Sequence, residues 1–156
     1  MKAIVLYYSK SGNTEKLAAR ICKDLDCQKL RIQPETEYGN YFSAVARVAN
    51  EKRKHITPAF VTEIPDLTAY DVVLIGYPIW YQDLPAFVAE FVRQCDVNGK
   101  IVIPFATFGT TGIKWTRKTL ERICYGAKIQ YPFDYGIRKK DNYDEWIGNV
   151  RGLLCG

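Results

Sequence analysis

Five short apolar runs alternate with amphipathic helical patterns along this chain, and this alternation restricts the fold more than any other feature. Strand-like runs occupy residues 2–8, 27–32, 72–76, 100–106 and 127–131. The patterns between and after them repeat about every 3.6 residues, which is typical of helices with one buried face. Strands that alternate with helices in this way pair in parallel. The sequence therefore predicts an α/β protein with a five-stranded parallel sheet and helices on both faces.

Size and composition predict one domain, 1–156, because no repeat or linker divides the chain. A charged fraction of 25% is typical of a soluble globular protein. No apolar run approaches the roughly 20 residues that span a bilayer, and the N-terminus lacks a signal-peptide pattern. We therefore expect no membrane contact and a cytoplasmic location. The net charge of +5 arises from scattered basic residues, and the charged run 51–55 is interpreted as a solvated face, so nucleic acid is not an expected partner.

Cysteine, histidine and metal chemistry are not predicted to supply the function. Cys22, Cys95 and Cys124 lie on apolar stripes of predicted helices, which favours buried, reduced thiols. A redox pair of Cys22 and Cys27 is the alternative interpretation, although their spacing is not Cys-x-x-Cys. His55 is the one histidine. We therefore expect no metal cluster and no Cys–His nucleophile pair.

The segment between the first strand and the first helix is rich in hydrogen-bond donors. It contains the hydroxyls of Ser9, Ser11 and Thr14, the amide of Asn13 and the flexible backbone of Gly12. A helix N-terminus favours a bound anion through its free N–H groups and its dipole. A capped helix with a tight turn and no ligand is the alternative. Neither a triphosphate loop nor a dinucleotide fingerprint is present, so any anion bound here is expected to be a lone phosphate.

Ligands of open parallel sheets lie at the carboxyl ends of the strands. This rule selects a first loop (9–14), a second loop (77–83) and a third loop (107–112). The second loop contains Trp80 and Tyr81, which either pack structurally or lie against a planar ligand, and Trp80 has the larger face. The third loop, with its threonines and glycines, either binds a ligand or forms a flexible turn. Together the loops favour a ligand with one phosphate and a flat polar ring, and flavin mononucleotide (FMN) has that shape.

Three stretches of the chain resemble motifs of the flavodoxin family, especially a shorter flavodoxin-like branch of stand-alone FMN domains. The stretches are Tyr8-Ser9-Lys10-Ser11-Gly12-Asn13-Thr14, Gly76-Tyr77-Pro78-Ile79-Trp80-Tyr81 and Pro104-Phe105-Ala106-Thr107-Phe108-Gly109-Thr110-Thr111-Gly112-Ile113. They occur in the family's order and extend over nearly the whole chain. The resemblance implies a flavodoxin-like three-layer sandwich, with a five-stranded parallel sheet of order 2-1-3-4-5, and FMN as the cofactor.

The resemblance also implies which residues bind FMN, and it implies no catalytic residue and no metal ligand. The phosphate would be bound by the first loop, through Ser9, Ser11, Gly12, Asn13 and Thr14, with Lys10 at a variable position of the motif. The isoalloxazine would be bordered by Pro78, Ile79, Trp80 and Tyr81. The other side would be formed by Thr107, Phe108, Gly109, Thr110 and Gly112. The family often has serine and a second glycine where this chain has Phe108 and Thr110, so Phe108 is expected to stack on or cap the ring.

Three functions remain open at this stage. The first is an FMN-binding electron-transfer protein that shuttles electrons between redox partner proteins. The second is an FMN-dependent NAD(P)H:quinone-type oxidoreductase, with NAD(P)H and a small acceptor as partners. The third, less favoured, is a regulatory or binding domain without flavin on the same fold. The protein would be a monomer or a homodimer. Flavodoxins are commonly acidic whereas this chain is basic, so the usual flavodoxin partner is not implied.

Overall fold

A parallel sheet between two layers of helices forms the framework of the computed structural model, which describes residues 1–108, 112–136 and 142–156. The strands are β1 (Ala3–Tyr7), β2 (Gln28–Arg31), β3 (Val72–Pro78), β4 (Ile101–Phe108), β5 (Lys128–Ile129) and β6 (Phe133–Gly136). The helices are α1 (Asn13–Leu25), α2 (Tyr41–Arg53), α3 (Ala86–Gln94), α4 (Arg117–Ile123) and α5 (Tyr143–Cys155), with a 3-10 turn at Ile113–Thr116 before α4. The sheet order β2-β1-β3-β4-β5 confirms the predicted order 2-1-3-4-5.

Side chains of the central strands alternate between two hydrophobic clusters, one on each face of the sheet. In β1, Ile4 and Leu6 join the cluster that packs under α3, while Ala3 and Val5 join the cluster under α1 and α5. Both faces are therefore buried, which explains why β1 and β3 are continuous apolar runs rather than alternating ones. The arrangement also places the carboxyl ends of β1, β3 and β4 next to one another.

The fifth position of the sheet contains two short strands instead of the single strand predicted at 127–131. β5 pairs with the start of β4, and β6 pairs with its end, both in parallel. Tyr131 between them adopts a positive φ of 47° and is followed by Pro132, which has no N–H to donate to a ladder. These two residues interrupt the strand. β6 then continues beside the third loop, at the carboxyl end of β4.

The charged run 51–55 is not uniformly solvated, and the prediction is wrong for Glu51. Glu51 is buried in α2, where its carboxylate accepts hydrogen bonds from Tyr38 Oη at 3.0 Å and from Arg47 Nε at 2.7 Å. The pairing makes burial of the carboxylate tolerable, since an isolated charge in that place would be costly. Among the described residues no helix is long and apolar enough to cross a membrane.

Candidate functional site

The three predicted loops meet at Thr107. The hydroxyl of Thr107 lies 2.8 Å from the hydroxyl of Thr14, which links the third loop to the first. The carbonyl of Thr107 accepts a hydrogen bond of 2.9 Å from the N–H of Ile79, which links it to the second. The structure therefore brings Thr14, Ile79 and Thr107 together at the carboxyl ends of β1, β3 and β4, where ligands of such sheets bind.

The first loop turns sharply through Gly12. Gly12 has a φ of 91°, in the left-handed region that other residues adopt at a cost. Its N–H donates to Ser9 Oγ at 3.1 Å, and the Asn13 amide donates to Ser11 Oγ at 3.3 Å. Ser9 and Thr14 are buried, whereas Ser11 and Asn13 are exposed. The loop is thus held by its own polar groups, with two of its donor side chains directed to the surface.

The first turn of α1 has backbone donors available for a ligand. In residues 1–108, no side chain caps this helix, so the first N–H groups from Asn13 onward have no capping partner. A β-carbon at Gly12 would meet no atom within 4 Å, which shows that the space beside the loop is open. Backbone N–H groups, hydroxyls and an amide at the positive end of a helix are the donor set that binds a phosphate monoester. These residues therefore fit the phosphate of FMN.

Arg31 is a residue of this site that the sequence analysis missed. Its guanidinium donates to the carbonyl of Ser9 at 3.1 Å and forms an ion pair of 3.4 Å with Glu37. Arg31 adds positive charge beside the first loop, which favours a bound anion. The signal that could have identified it is the register of the sheet, because Arg31 pairs with Tyr7 at the last position of β1 and therefore borders the loop that follows.

The second loop contains a tight two-residue turn. The N–H of Trp80 donates to the carbonyl of Asp83 at 2.8 Å, and the N–H of Asp83 donates back at 3.2 Å. Tyr81 and Gln82 between them have φ values of 55° and 65°, the left-handed pair of a type I′ turn. Neither residue is glycine, so this backbone is strained by about 1–2 kcal/mol at each position. The Tyr81 ring is 62% exposed at the tip of the turn.

Two contacts hold this turn in place. The ammonium group of Lys52 donates to the carbonyl of Tyr81 at 2.7 Å and lies 5.4 Å from the centre of its ring. The Asp83 carboxylate accepts from Thr119 Oγ1 at 2.7 Å and from the N–H of Leu84 at 2.8 Å. The Asp83 side chain is thus hydrogen-bonded to a residue of α4. Helix α2 and helix α4 fix the second loop from both sides.

Trp80 is partly buried against two tyrosine rings. Its ring meets Tyr38 with centroids 4.8 Å apart and Tyr8 with centroids 5.6 Å apart, both edge to face. Tyr38 is itself held by its bond to Glu51 and by the Arg47 guanidinium, which lies 3.9 Å above its ring. The Trp80 ring therefore has a fixed orientation at the edge of the site. Contacts with Tyr8 and Tyr38 set this orientation, and side chains of α2 hold Tyr38 in place.

The Tyr8 hydroxyl is buried and makes no well-formed hydrogen bond in the part of the chain that the structure describes, although the Glu37 carboxylate lies near it. Burial, and then the negative charge of Glu37, raise the pKa of Tyr8 well above its usual value, so the phenol stays protonated. An unpaired buried hydroxyl costs about 1–3 kcal/mol. Tyr8 follows β1 directly and was singled out in the sequence only as part of the first motif, so its role behind Trp80 was not predicted.

In the third loop, Thr107 and Phe108 belong to β4, which extends two residues beyond its predicted end. The Phe108 ring lies on Gly136 of β6, where a β-carbon would overlap it. Beyond the gap, the N–H of Ile113 donates to Asp134 at 2.5 Å and anchors the end of the loop. Gly112 lies beside the same carboxylate. The predicted site residues Gly109 and Thr110 lie outside the described residues.

The remaining predicted residues border the same region. Pro78 ends β3 and pairs with Thr107, and Lys10 is exposed in the first loop. The candidate site therefore has two parts: a donor-rich helix start with nearby cations, and the partly buried ring of Trp80, which the exposed Tyr81 follows in the turn. A ligand with an anionic end and a flat ring matches both parts.

Comparisons with known proteins agree with this architecture. A family model described as flavodoxin matches residues 2–150. An NAD(P)H dehydrogenase (quinone) from Paraburkholderia phymatum is 26% identical over 116 residues, which are 70% of this chain and 57% of that protein. The chain thus spans little more than half the length of the curated relatives that it matches.

Solved structures share the fold over almost the whole chain. A provisionally assigned flavoprotein from Bacteroides uniformis ATCC 8492 is 26% identical with a TM-score of 0.79, and the match covers 99% of this chain and 98% of that one. A flavoprotein from Lactobacillus acidophilus NCFM, solved in complex with FMN, is 21% identical with a TM-score of 0.74 and coverage of 93% and 97%. At that identity the second likeness shows the fold alone.

Proposed function

The chain belongs to the flavodoxin family, whose model matches residues 2–150, and from this premise we propose that it binds FMN and transfers electrons between redox partners. The observation that best supports the proposal is the convergence of the donor-rich first loop and the second loop, next to Trp80, on Thr107. FMN supplies the one- and two-electron chemistry when bound, and the protein binds and orients it. The same proposal treats residues 1–156 as one FMN-binding domain.

The first loop is proposed to bind the phosphate. The hydroxyl of Ser11 and the amide of Asn13 are on exposed side chains, and the N–H groups of the first turn of α1 have no side-chain cap, so both sets of donors remain available to a ligand. Ser9 and Thr14 are already engaged, by Gly12 and by Thr107 respectively. Their proposed role is to shape the loop, while the other donors contact the phosphate.

The second and third loops are proposed to border the isoalloxazine ring. Trp80 and Tyr81 supply aromatic faces, and Pro78 and Ile79 supply backbone close to Thr107. Phe108 is proposed to border the opposite side, where its position on Gly136 sets the direction of the ring. Stacking of a flat ring on aromatic side chains contributes about 0.5–1.5 kcal/mol for each pair beyond the area buried.

The charges near the second loop bear on the redox potential. Asp83, the one acidic residue in the second or third loop, is bonded to Thr119 and Leu84, and Lys52 lies on the other side of the turn. Nearby carboxylates disfavour a reduced, anionic flavin, while cations favour it. We therefore expect potentiometric titration of the FMN-loaded protein to give a less negative potential than an acid-rimmed site. A very low potential for full reduction would contradict this expectation.

A second candidate function is FMN-dependent reduction of a quinone-type acceptor by NAD(P)H. The similarity to proteins named NAD(P)H dehydrogenase (quinone) favours it. Such a reaction needs space for the nicotinamide over the flavin, often completed by a second subunit. Under this candidate function, the exposed Tyr81 ring at the tip of the second loop is proposed to border that space.

One experiment tests the proposal and separates the two candidates. The purified protein is reconstituted with FMN, and anaerobic absorbance spectra are recorded before and after addition of NADPH, and again after addition of a flavodoxin reductase. Bleaching only with the reductase supports the electron carrier. Rapid bleaching by NADPH alone supports the oxidoreductase instead. Failure to bind FMN at micromolar concentrations would reject both.

A further inference from the structure

Cys22 and Cys27 form a close thiol pair at the end of α1. Their Sγ atoms lie 3.8 Å apart, and the Cys27 thiol donates to the Cys22 sulfur. The main chains are also joined, because the N–H of Cys27 donates to the carbonyl of Cys22 at 3.1 Å. Asp26 makes this possible by adopting a left-handed conformation, with a φ of 49°, that turns the chain back over the last turn of the helix.

This geometry is favourable for a disulfide. A disulfide needs Cα atoms about 4.4–6.8 Å apart and side chains directed towards each other. A direct main-chain hydrogen bond of 3.1 Å keeps the two residues close together, and the thiol contact shows that the side chains already face each other. The sulfur atoms must approach each other by a little under 2 Å to reach the S–S bond length of about 2 Å.

The pKa values of the two thiols are shifted in opposite directions, which gives the two cysteines different roles. The hydrogen bond from Cys27, and the positive charge of Lys29, lower the pKa of Cys22 despite its partial burial. The same hydrogen bond and burial raise the pKa of Cys27. Cys22 is therefore the thiol that ionises first and attacks, and Cys27 is the thiol that follows, as in redox-active pairs with one nucleophilic and one resolving cysteine.

The thiol pair is only partly buried, in contrast to Cys95 and Cys124, which are buried. A groove at the amino edge of the sheet, lined in part by Lys2, Cys27 and Asp71, borders the Cys27 side of the pair. A small oxidant such as hydrogen peroxide can approach the pair from there.

We propose that Cys22 and Cys27 are a site of reversible oxidation, in which hydrogen peroxide converts the two thiols to an intramolecular disulfide. The Cys22 thiolate attacks the peroxide, the O–O bond breaks, and hydroxide leaves while Cys22 becomes a sulfenic acid. The Cys27 thiol then attacks the Cys22 sulfur, the S–OH bond breaks, and water leaves with the Cys27 proton. The two thiols lose two electrons, which the peroxide gains, and a dithiol reductant reverses the change.

The proposed site is separate from the FMN site. Cys22 lies in the last turns of α1, whereas the first loop leads into the start of the helix at Asn13, nine positions earlier. At about 1.5 Å per residue the distance along the helix is roughly 14 Å. The disulfide would tie the end of α1 to the start of β2 at Gln28, and its formation does not depend on a bound flavin.

The test is a mass-spectrometric map of the oxidised full-length protein. The flavin-free protein is treated with one to a few equivalents of hydrogen peroxide, alkylated with N-ethylmaleimide under denaturing conditions and digested with trypsin. The expected result is loss of two of the five alkylatable thiols. The expected crosslink joins the tryptic peptides 21–23 and 24–29, and dithiothreitol should remove it. A Cys155→Ser variant, which lacks the exposed cysteine of α5, should behave identically.

Two further variants make the roles separable. Cys27→Ser should stop the reaction at the sulfenic acid of Cys22, which dimedone labels with a corresponding gain in mass. Cys22→Ser should show no dimedone label at Cys27 and no loss of thiols. The proposal is overturned if wild-type protein keeps all its thiols, if the crosslink involves Cys155, or if Cys22→Ser still loses two thiols. Because no flavin is present, these results do not depend on whether FMN binds.

Discussion

The hydroxyls of Thr14 and Thr107 lie 2.8 Å apart although 93 positions separate the two residues in the chain. Thr14 is in the first turn of α1, which follows β1, and Thr107 is near the end of β4. In the sheet, β3 lies between β1 and β4 and pairs with both. The contact therefore joins the proposed phosphate end of the site to the proposed ring end. A substitution at either threonine should therefore alter the structure of both the first loop and the third loop.

Replacing Ser11 and Thr14 together by alanine should weaken FMN binding far more than riboflavin binding. Removal of the Ser11 hydroxyl from a charged acceptor costs about 1.5–3 kcal/mol, and loss of the Thr14 contact with Thr107 removes a support of the loop, so the FMN affinity should fall by roughly 10-fold to 100-fold. Riboflavin, which lacks the phosphate, should lose only a few-fold. Fluorescence titration with both ligands measures the difference, and exposed Thr57→Ala is the control. Equal losses for both ligands would mean that the first loop does not bind the phosphate.

Trp80→Phe should weaken FMN and riboflavin to the same extent. The smaller ring loses part of the proposed stacking surface, about 1 kcal/mol or roughly a fivefold loss of affinity. Trp146→Phe is the matched control, since Trp146 stacks on Phe133 at 4.4 Å in the cluster under α5 and should affect stability rather than flavin affinity. Unchanged affinity in Trp80→Phe together with reduced affinity in Trp146→Phe would place the ring elsewhere.

Arg47→Met should destabilise the folded protein by about 2–3 kcal/mol, because it leaves the buried carboxylate of Glu51 without its cation. The Glu51 side chain is only 7% exposed. The matched control is Arg93→Met, which breaks a surface pair with Glu90 and should cost less than about 1 kcal/mol. Urea unfolding of both variants without flavin measures the two values. Similar losses in both would show that the burial of Glu51 has no energetic consequence.

Tyr8→Phe and Tyr38→Phe should change stability in opposite directions. The Tyr8 hydroxyl is buried without a well-formed hydrogen bond among the described residues, and the nearby Glu37 carboxylate is at most a weak acceptor, so its removal should stabilise the flavin-free protein by about 1 kcal/mol. The Tyr38 hydroxyl donates to Glu51, and its removal should cost about 1–3 kcal/mol. The free energies of unfolding of the two variants, measured without flavin, test both expected changes. Destabilisation by Tyr8→Phe would indicate that its hydroxyl is hydrogen-bonded in solution.

Much of the framework could be predicted from the sequence, because burial on both faces gives apolar runs that are visible in one dimension. The starts of β3 and α1 are the best examples. The predicted strand begins at Val72 and the predicted helix at Asn13, and both elements begin at those residues in the structure. The convergence of three loops followed from the rule for parallel sheets. The role of each predicted site residue in binding FMN stays a prediction.

Features that depend on partners distant in sequence were missed. Arg31 belongs to the site only because β2 pairs with β1, and a scattered arginine gives no sign of this. Glu51 can be buried because Tyr38 and Arg47 donate hydrogen bonds to its carboxylate. These partners are not evident from the sequence, so the charge of Glu51 predicted a solvated position. The division of the edge strand at Tyr131 depends on a backbone conformation that composition does not reveal.

The divided strand has a consequence for self-association. An unbroken outer strand would present a row of free N–H and C=O groups on which a second molecule could continue the sheet. Here the outermost ladder consists of segments of two and four residues, with Pro132 between them. A neighbouring chain could add only a few hydrogen bonds before losing register. If two copies of this protein join, we expect them to do so through helices or loops and not by extending the sheet along this border.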